Sequence, residues 1–183
     1  SSSSVTERAP WMLRAEELVR ELHARQIPLF GICFGHQLIG QALGGLVAKN
    51  PRGREIGTVT VRVLASSPSE SPLLAGLPKT FSVNATHVDS VVTLPPGAHL
   101  LAETDLEPHA IFSVGETTHG VQFHPEFDGD VMRGYVDARA HLVTAEGLDA
   151  VAIRARSVDT PHGAETLRNF IRHVVLGRRR ARR

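Results

Sequence analysis

Cysteine occurs once in this 183-residue chain, at Cys33. One thiol cannot close an intrachain disulfide, which points to a reducing, cytoplasmic setting, and it leaves a cysteine-based zinc cluster without ligands, so no metal site is expected. Long apolar runs are missing as well. None nears the roughly 18 residues that cross a bilayer, and no signal-peptide pattern precedes the first helical segment, which argues against a membrane role. Internal repeats, an interdomain linker and the glycine-rich fingerprints of nucleotide-binding loops are all lacking. The sequence therefore predicts a single domain over residues 1–183 and no cofactor.

A strong charge imbalance is also absent, with 20 basic and 19 acidic residues, but five of the arginines sit in the last six positions. Without them 15 basic residues face 19 acidic, a net of −4 for the body. The basic character thus belongs to the tail at 177–183, beyond a helix stop at Gly177, and does not describe a nucleic-acid-binding face. The tail reads as a solvated terminus, with an anion or partner contact as the competing reading.

What is present is an alternation of helical and extended patterns. After the loop-like serine run at Ser1–Ser4, a helix is predicted from Pro10 to Arg25, with Trp11, Ala15, Leu18, Val19 and Leu22 as its apolar stripe. Ile27–Ile32 reads as a short strand of the kind buried on both faces of a parallel sheet. A second helix runs from Gly35 to Leu43 and stops at Gly44-Gly45. Thr58–Leu64 alternates Val59, Val61 and Val63 against polar neighbours, as a half-buried strand does. Short strands follow near Phe81–Asn84, Ser90–Leu94 and Leu100–Ala102, then a hairpin over Ala110–Phe123 turning at Gly115-Glu116. Helices close the chain at Asp130–His141, Thr144–Arg154 and Pro161–Leu176, and Ser66–Pro72 reads as a surface loop. This order predicts an α/β fold with an open, mostly parallel sheet flanked by helices.

The chemistry concentrates at Gly31-Ile32-Cys33-Phe34-Gly35. Small–x–nucleophile–x–small at a strand-to-helix junction is the form of a nucleophile elbow, in which the central residue is strained and flanking side chains would clash. The elbow points the sulfur out at a helix head, where free N–H groups and the macrodipole favour thiolate. It also aims the Phe34 N–H at the position an oxyanion would occupy. Among ten histidines, His124 stands apart because Pro125 biases it toward an extended state and Glu126 then falls on the same side, able to orient one ring nitrogen while the other faces the sulfur. His124-Pro125-Glu126 also fits the H-x-E of zinc deaminases, but no cysteine follows Cys33 to complete their signature.

The stretches "GICFGHQLIGQALGG" and "THGVQFHPEF" resemble the two signatures of class I, triad-type glutamine amidotransferase domains. The resemblance covers most of Trp11–Phe127 and implies a flavodoxin-like fold. It implies Cys33 as nucleophile toward the glutamine side-chain amide, His124 as general acid/base and Glu126 as its orienter. Gln37 matches the family glutamine that contacts substrate. "NATHVD", residues 84–89, is similar to a family segment that holds the ends of glutamine, which implicates Thr86, His87, Val88 and Asp89. Val88 replaces the family glycine, and loop capping is the competing reading of His87 and Asp89.

Family members begin with further strands and a glycine-rich loop that donates a second oxyanion N–H. On that pattern the N-terminal strands are missing from the numbered chain, and poor activity is expected if it is the whole polypeptide. The implied activity is glutamine hydrolysis, alone or as ammonia donor to a synthase subunit. A γ-glutamyl amide or peptide hydrolase with the same residues, and a silent binding domain on this scaffold, are the alternatives.

Overall fold

Pro10 opens the first helix in the computed structural model, which describes residues 4–64 and 71–177. The serine run at 1–3, most of the expected loop at 66–72 and the arginine tail from 178 lie outside the described residues. α1 (Pro10–Ala24) buries Met12, Glu16 and Val19, whereas Trp11 and Leu18 of the expected stripe stay exposed. The buried face is rotated because Glu16 is held inside by Arg8 at 3.2 Å and Arg20 at 3.5 Å, and a paired carboxylate tolerates burial.

β1 (Leu29–Ile32) leads through Cys33 into α2 (Phe34–Ala42), which ends at Gly44 with φ of 96°. β2 (Leu46–Lys49), which the sequence reading missed, pairs with β5 (Asp89–Thr93) in a separate two-stranded sheet. The main sheet contains β3 (Glu55–Val63), β4 (Thr80–His87), β6 (Ala98–Glu103), β7 (Ile111–Val114) and β8 (Thr118–Val121), in the order β1-β8-β7-β6-β3-β4. The β7–β8 hairpin turns at Gly115 as predicted, in the register Ile111↔Val121.

The α/β class holds, but the sheet is mixed rather than mostly parallel. Among the described pairs only β1 and β8 run parallel. Short returns such as that at Gly115 can join only antiparallel neighbours, whereas a parallel pair needs a long crossover. Here nearly the whole chain between β1 and β8 supplies that crossover.

The C-terminal helices also divide differently. α3 (Gly129–Ala145) runs past His141, and α4 (Ala150–Arg156) begins only after Asp149. Gly147, at φ 81°, ends α3 with Leu148 donating back to the Val143 carbonyl, and Asp149 caps the next helix by accepting from Ala152 N–H at 2.9 Å. A glycine in the left-handed region followed by an N-cap stops the continuous Thr144–Arg154 helix. α5 (Pro161–Asn169) continues as a π-helical turn at Phe170–Val175.

The strand alternation sorts side chains into two cores. Ile111, Val121, Val61 and Val83 join Phe170 and Val174 on one face of the sheet. Phe112 and Val114 join Ile39, Ala42 and Val19 of α2 and α1 on the other. Burial of each large apolar side chain contributes about 1.5–3 kcal/mol, and the central strands β7 and β8 are covered on both sides. Among the described residues no helix is long and apolar enough to cross a membrane.

Candidate active site

Because β1 and β8 are parallel neighbours, both chains leave the sheet at the same edge. Leu29–Ile32 pairs with Thr118–Val121, and the Cys33 N–H extends the ladder to the Val121 carbonyl at 2.9 Å. The residue after β1 and the segment after β8 are thereby forced together, at the strand ends where α/β sheets place their ligands.

Cys33 has φ 47° and ψ −100°, a backbone state that side-chain-bearing residues rarely adopt. A Cβ on Gly31 would lie 2.5 Å from the Gly35 carbonyl oxygen, so Gly31 is required for the turn. Gly35 is not: a Cβ there would meet nothing within 4 Å, which corrects the expectation that both glycines relieve clashes. The other tight glycine is Gly120, the β8 partner of Gly31, whose Cβ would sit 2.7 Å from the His36 ring. A glycine pair in adjacent strands lets the first turn of α2 lie flat on the sheet. His36, which the sequence reading passed over, is fully buried against Phe112 and held neutral, its pKa pushed down to about 3 chiefly by burial.

His124 stands against the sulfur. Its Nδ1 donates to Glu126 Oε1 at 2.7 Å, leaving Nε2 for the hydrogen bond to Cys33. Residues 124–127 form a turn closed by Phe127 N–H on the His124 carbonyl at 3.2 Å, not the extended chain expected, yet Glu126 still reaches back to the ring. Phe127 stacks on the imidazole at 4.2 Å. Burial pushes His124 down, but hydrogen bonds to Cys33 and Glu126 outweigh it and raise its pKa to about 9. Burial pushes the Cys33 thiol up, and His124 together with His87 outweighs that and holds it below its ordinary value. The two opposite shifts favour proton transfer from the thiol to the imidazole.

The remaining expected residues gather nearby. Phe34 is the first residue of α2, whose N–H has no partner within the helix. Thr86 offers its carbonyl to the Cys33 thiol at 3.7 Å. Gln37 is buried and donates to the Asp89 carbonyl at 2.8 Å and to Gln122 Oε1 at 3.1 Å. Asp89 takes the Ser4 hydroxyl on its carboxylate, and the Val88 carbonyl accepts from Asn50 N–H at 2.8 Å. His87 lies buried between Glu55 at 3.1 Å and Glu107 at 3.9 Å. It joins an ionic cluster in the interior and also caps its own loop through Nδ1 on the Asp89 carbonyl at 2.9 Å, as the competing reading expected. Its pKa is pushed down by burial but raised overall by the two carboxylates.

A cavity of about 550 Å³ opens over Cys33, Gln37 and the 86–89 segment, a size that suits a small molecule. Its far wall is α3, with Arg139 lying 4.2 Å over the Tyr135 ring. Arg54 pins that wall by a two-pronged ion pair to Glu146 at 2.7 and 2.9 Å. Among the described residues no cluster of three or more His, Cys, Asp or Glu could hold a metal. Sequence reasoning missed Asn84, Glu55, Glu107 and Gln122. Gln122 had a signal, since it falls two residues before His124 in the stretch that leaves β8.

A family model described as glutamine amidotransferase class-I matches residues 6–136. The chain is 42% identical over 122 residues to the glutamine-hydrolyzing GMP synthase of Thermosipho africanus, covering 63% of this chain and 23% of that protein. It is 31% identical over 139 residues to gamma-glutamyl peptidase 4 of Arabidopsis thaliana, covering 75% and 55%. The chain thus spans about a quarter of the first relative and just over half of the second. The crystal structure of a glutamine amidotransferase from Thermotoga maritima superposes with a TM-score of 0.75 at 22% identity, over 96% of this chain and 75% of the other, a likeness of fold.

Proposed function

The chain belongs to the class I glutamine amidotransferase family, and on that premise we propose that it hydrolyses the side-chain amide of glutamine to glutamate and ammonia through a thioester on Cys33. The observation that carries this reading is His124 placed between the Cys33 sulfur and the Glu126 carboxylate. The Cys33 thiolate attacks the amide carbon, and the Phe34 N–H faces the oxyanion that forms. Imidazolium His124 gives its proton to the departing nitrogen, and ammonia leaves. His124, now neutral, takes a proton from water as the water attacks the thioester. Glutamate departs and the thiolate–imidazolium pair is restored. Glu126 holds the ring orientation throughout.

Thr86 to Asp89 line the cavity beside the sulfur and hold the α-amino and α-carboxylate ends of the substrate in this reading. The name of the GMP synthase relative supports ammonia delivery to a synthase subunit. Glutamate release from glutamine by the full-length protein, with and without such a subunit, tests the proposal, and near-normal turnover in Cys33→Ala would sink it.

The peptidase relative, which shares the larger fraction of this chain, favours a second reading: hydrolysis of γ-glutamyl peptides by the same three residues. Glutamine and γ-glutamyl dipeptides offered side by side separate the two, faster turnover of the peptides selecting the second.

A further inference from the structure

Resting on the reading of Cys33 as nucleophile, we propose that Gln122 is a further catalytic residue, whose side-chain amide donates to the reacting sulfur, and that Gln37 and His87 are the positioning residues that aim it. Gln122 is 1% exposed, and its Nε2 lies 3.6 Å from Cys33 Sγ.

The direction of every hydrogen bond in this relay follows from one atom that can only accept, the Asp89 carbonyl oxygen. The Gln37 amide atom 2.8 Å from it must be nitrogen. That nitrogen's second hydrogen goes to Gln122 at 3.1 Å, so the Gln122 atom there must be its oxygen. The remaining end of the Gln122 amide, the NH2 group, is then the one turned toward the sulfur. Both Gln37 hydrogens are committed, which leaves only its Oε1 to offer a substrate.

The Asp89 carbonyl is itself fixed by a second donor. His87 Nδ1 donates to it at 2.9 Å while Nε2 faces Glu55 Oε2 at 3.1 Å. The Thr104 hydroxyl closes the other Glu55 oxygen. Glu55, His87, Thr104, Gln37 and Gln122 are all buried, so solvent does not compete for these bonds.

This arrangement distinguishes the two states of Cys33. The neutral thiol donates to the Thr86 carbonyl at 3.7 Å. Once its proton has moved to His124, that donor is gone, and the sulfur accepts from Gln122 and from the imidazolium. Gln122 therefore favours the nucleophilic form through a contact independent of His124 and Glu126.

The chain's single cysteine makes the test direct, because alkylation by iodoacetamide reports Cys33 alone. In Gln122→Met, which keeps the length and removes the donor, the midpoint of the alkylation-rate profile against pH should rise by about one pH unit, the loss of one charge-assisted hydrogen bond. Gln37→Met should move it the same way by less, and the double variant should add little to Gln122→Met alone. An unchanged midpoint in folded Gln122→Met overturns the proposal. If that variant does not fold, the wild-type protein decides: Gln122 side-chain amide proton resonances that titrate with the Cys33 midpoint support the contact, and resonances that stay fixed overturn it. A wild-type midpoint at the ordinary thiol value of about 8.5 would instead sink the reading of Cys33 as nucleophile. Glutamine turnover is no part of this readout, so the two failures stay separate.

Discussion

Asn84 anchors the loop that carries His124. Its carbonyl accepts from the His124 N–H at 2.8 Å, and its side-chain amide donates to the carbonyls of Phe127 at 3.2 Å and Val158 at 3.1 Å. The same side chain takes the Thr58 hydroxyl on its oxygen at 2.7 Å. One buried asparagine thus ties β4, the 124–128 turn and the segment after α4 together.

Asn84→Ala removes the donor to the Phe127 and Val158 carbonyls and the acceptor of the Thr58 hydroxyl, a loss of about 1–2 kcal/mol in stability by denaturant unfolding. The main-chain bond to His124 survives, but the turn loosens. Turnover of glutamine should fall mainly in kcat, since the substrate-lining residues are untouched.

The pH dependence follows from the opposite shifts of the pair. Turnover needs Cys33 deprotonated, which is met above its lowered pKa, and His124 protonated, which is met below about 9. The profile of kcat/KM for glutamate release should rise at a pH below the ordinary thiol value and decline near 9 as the imidazolium proton is lost. A profile still rising through pH 9 would mean the thiol ionises without help.

Removing members of the site should rank them. Cys33→Ala abolishes turnover with the fold kept, and His124→Ala costs about 10²–10⁴ in rate, the usual worth of a positioned acid/base. Glu126→Gln costs less, because Glu126 is the more exposed partner and the Cys33 hydrogen bond still raises His124. It should also move the alkaline limb to lower pH, since one of the two bonds that raise the imidazole is gone.

The two elbow glycines should part company. Gly31→Ala drives a Cβ into the Gly35 backbone at 2.5–2.6 Å and should cost about 2–3 kcal/mol or prevent folding. Gly35→Ala meets open space within a helix and should raise stability by about 0.5–1 kcal/mol. Paired thermal melts check both.

Much of this site is legible in the sequence, for reasons that differ by residue. Cys33, His124 and Glu126 stand out because their chemistry depends on local spacing: a strand, a tight turn and a proline-fixed neighbour. The hairpin at Gly115 and the alternation of Val59, Val61 and Val63 are local too. The connection of Glu55 through His87 and Gln37 to Gln122 is not, because its members come from two strands, a helix and the segment after β8, far apart in sequence, and nothing local says that they touch. Strand direction is hidden likewise, since a short apolar strand reads the same whichever way its neighbours run. Gly35 misled for the opposite reason: its spacing matches the elbow, but the space around it is open.

The parallel pairing of β1 with β8 has a consequence for variation in this scaffold. Cys33 closes the β1–β8 ladder, and His124 follows three residues after β8 with its N–H held by the Asn84 carbonyl of β4, so their separation rests on the parallel pair and that one anchor. Connections between β2 and β7 that leave β4 and Asn84 in place can lengthen, shorten or change character without disturbing that reach. Recognition of what enters the cavity can therefore diverge while the proton-transfer distance stays put.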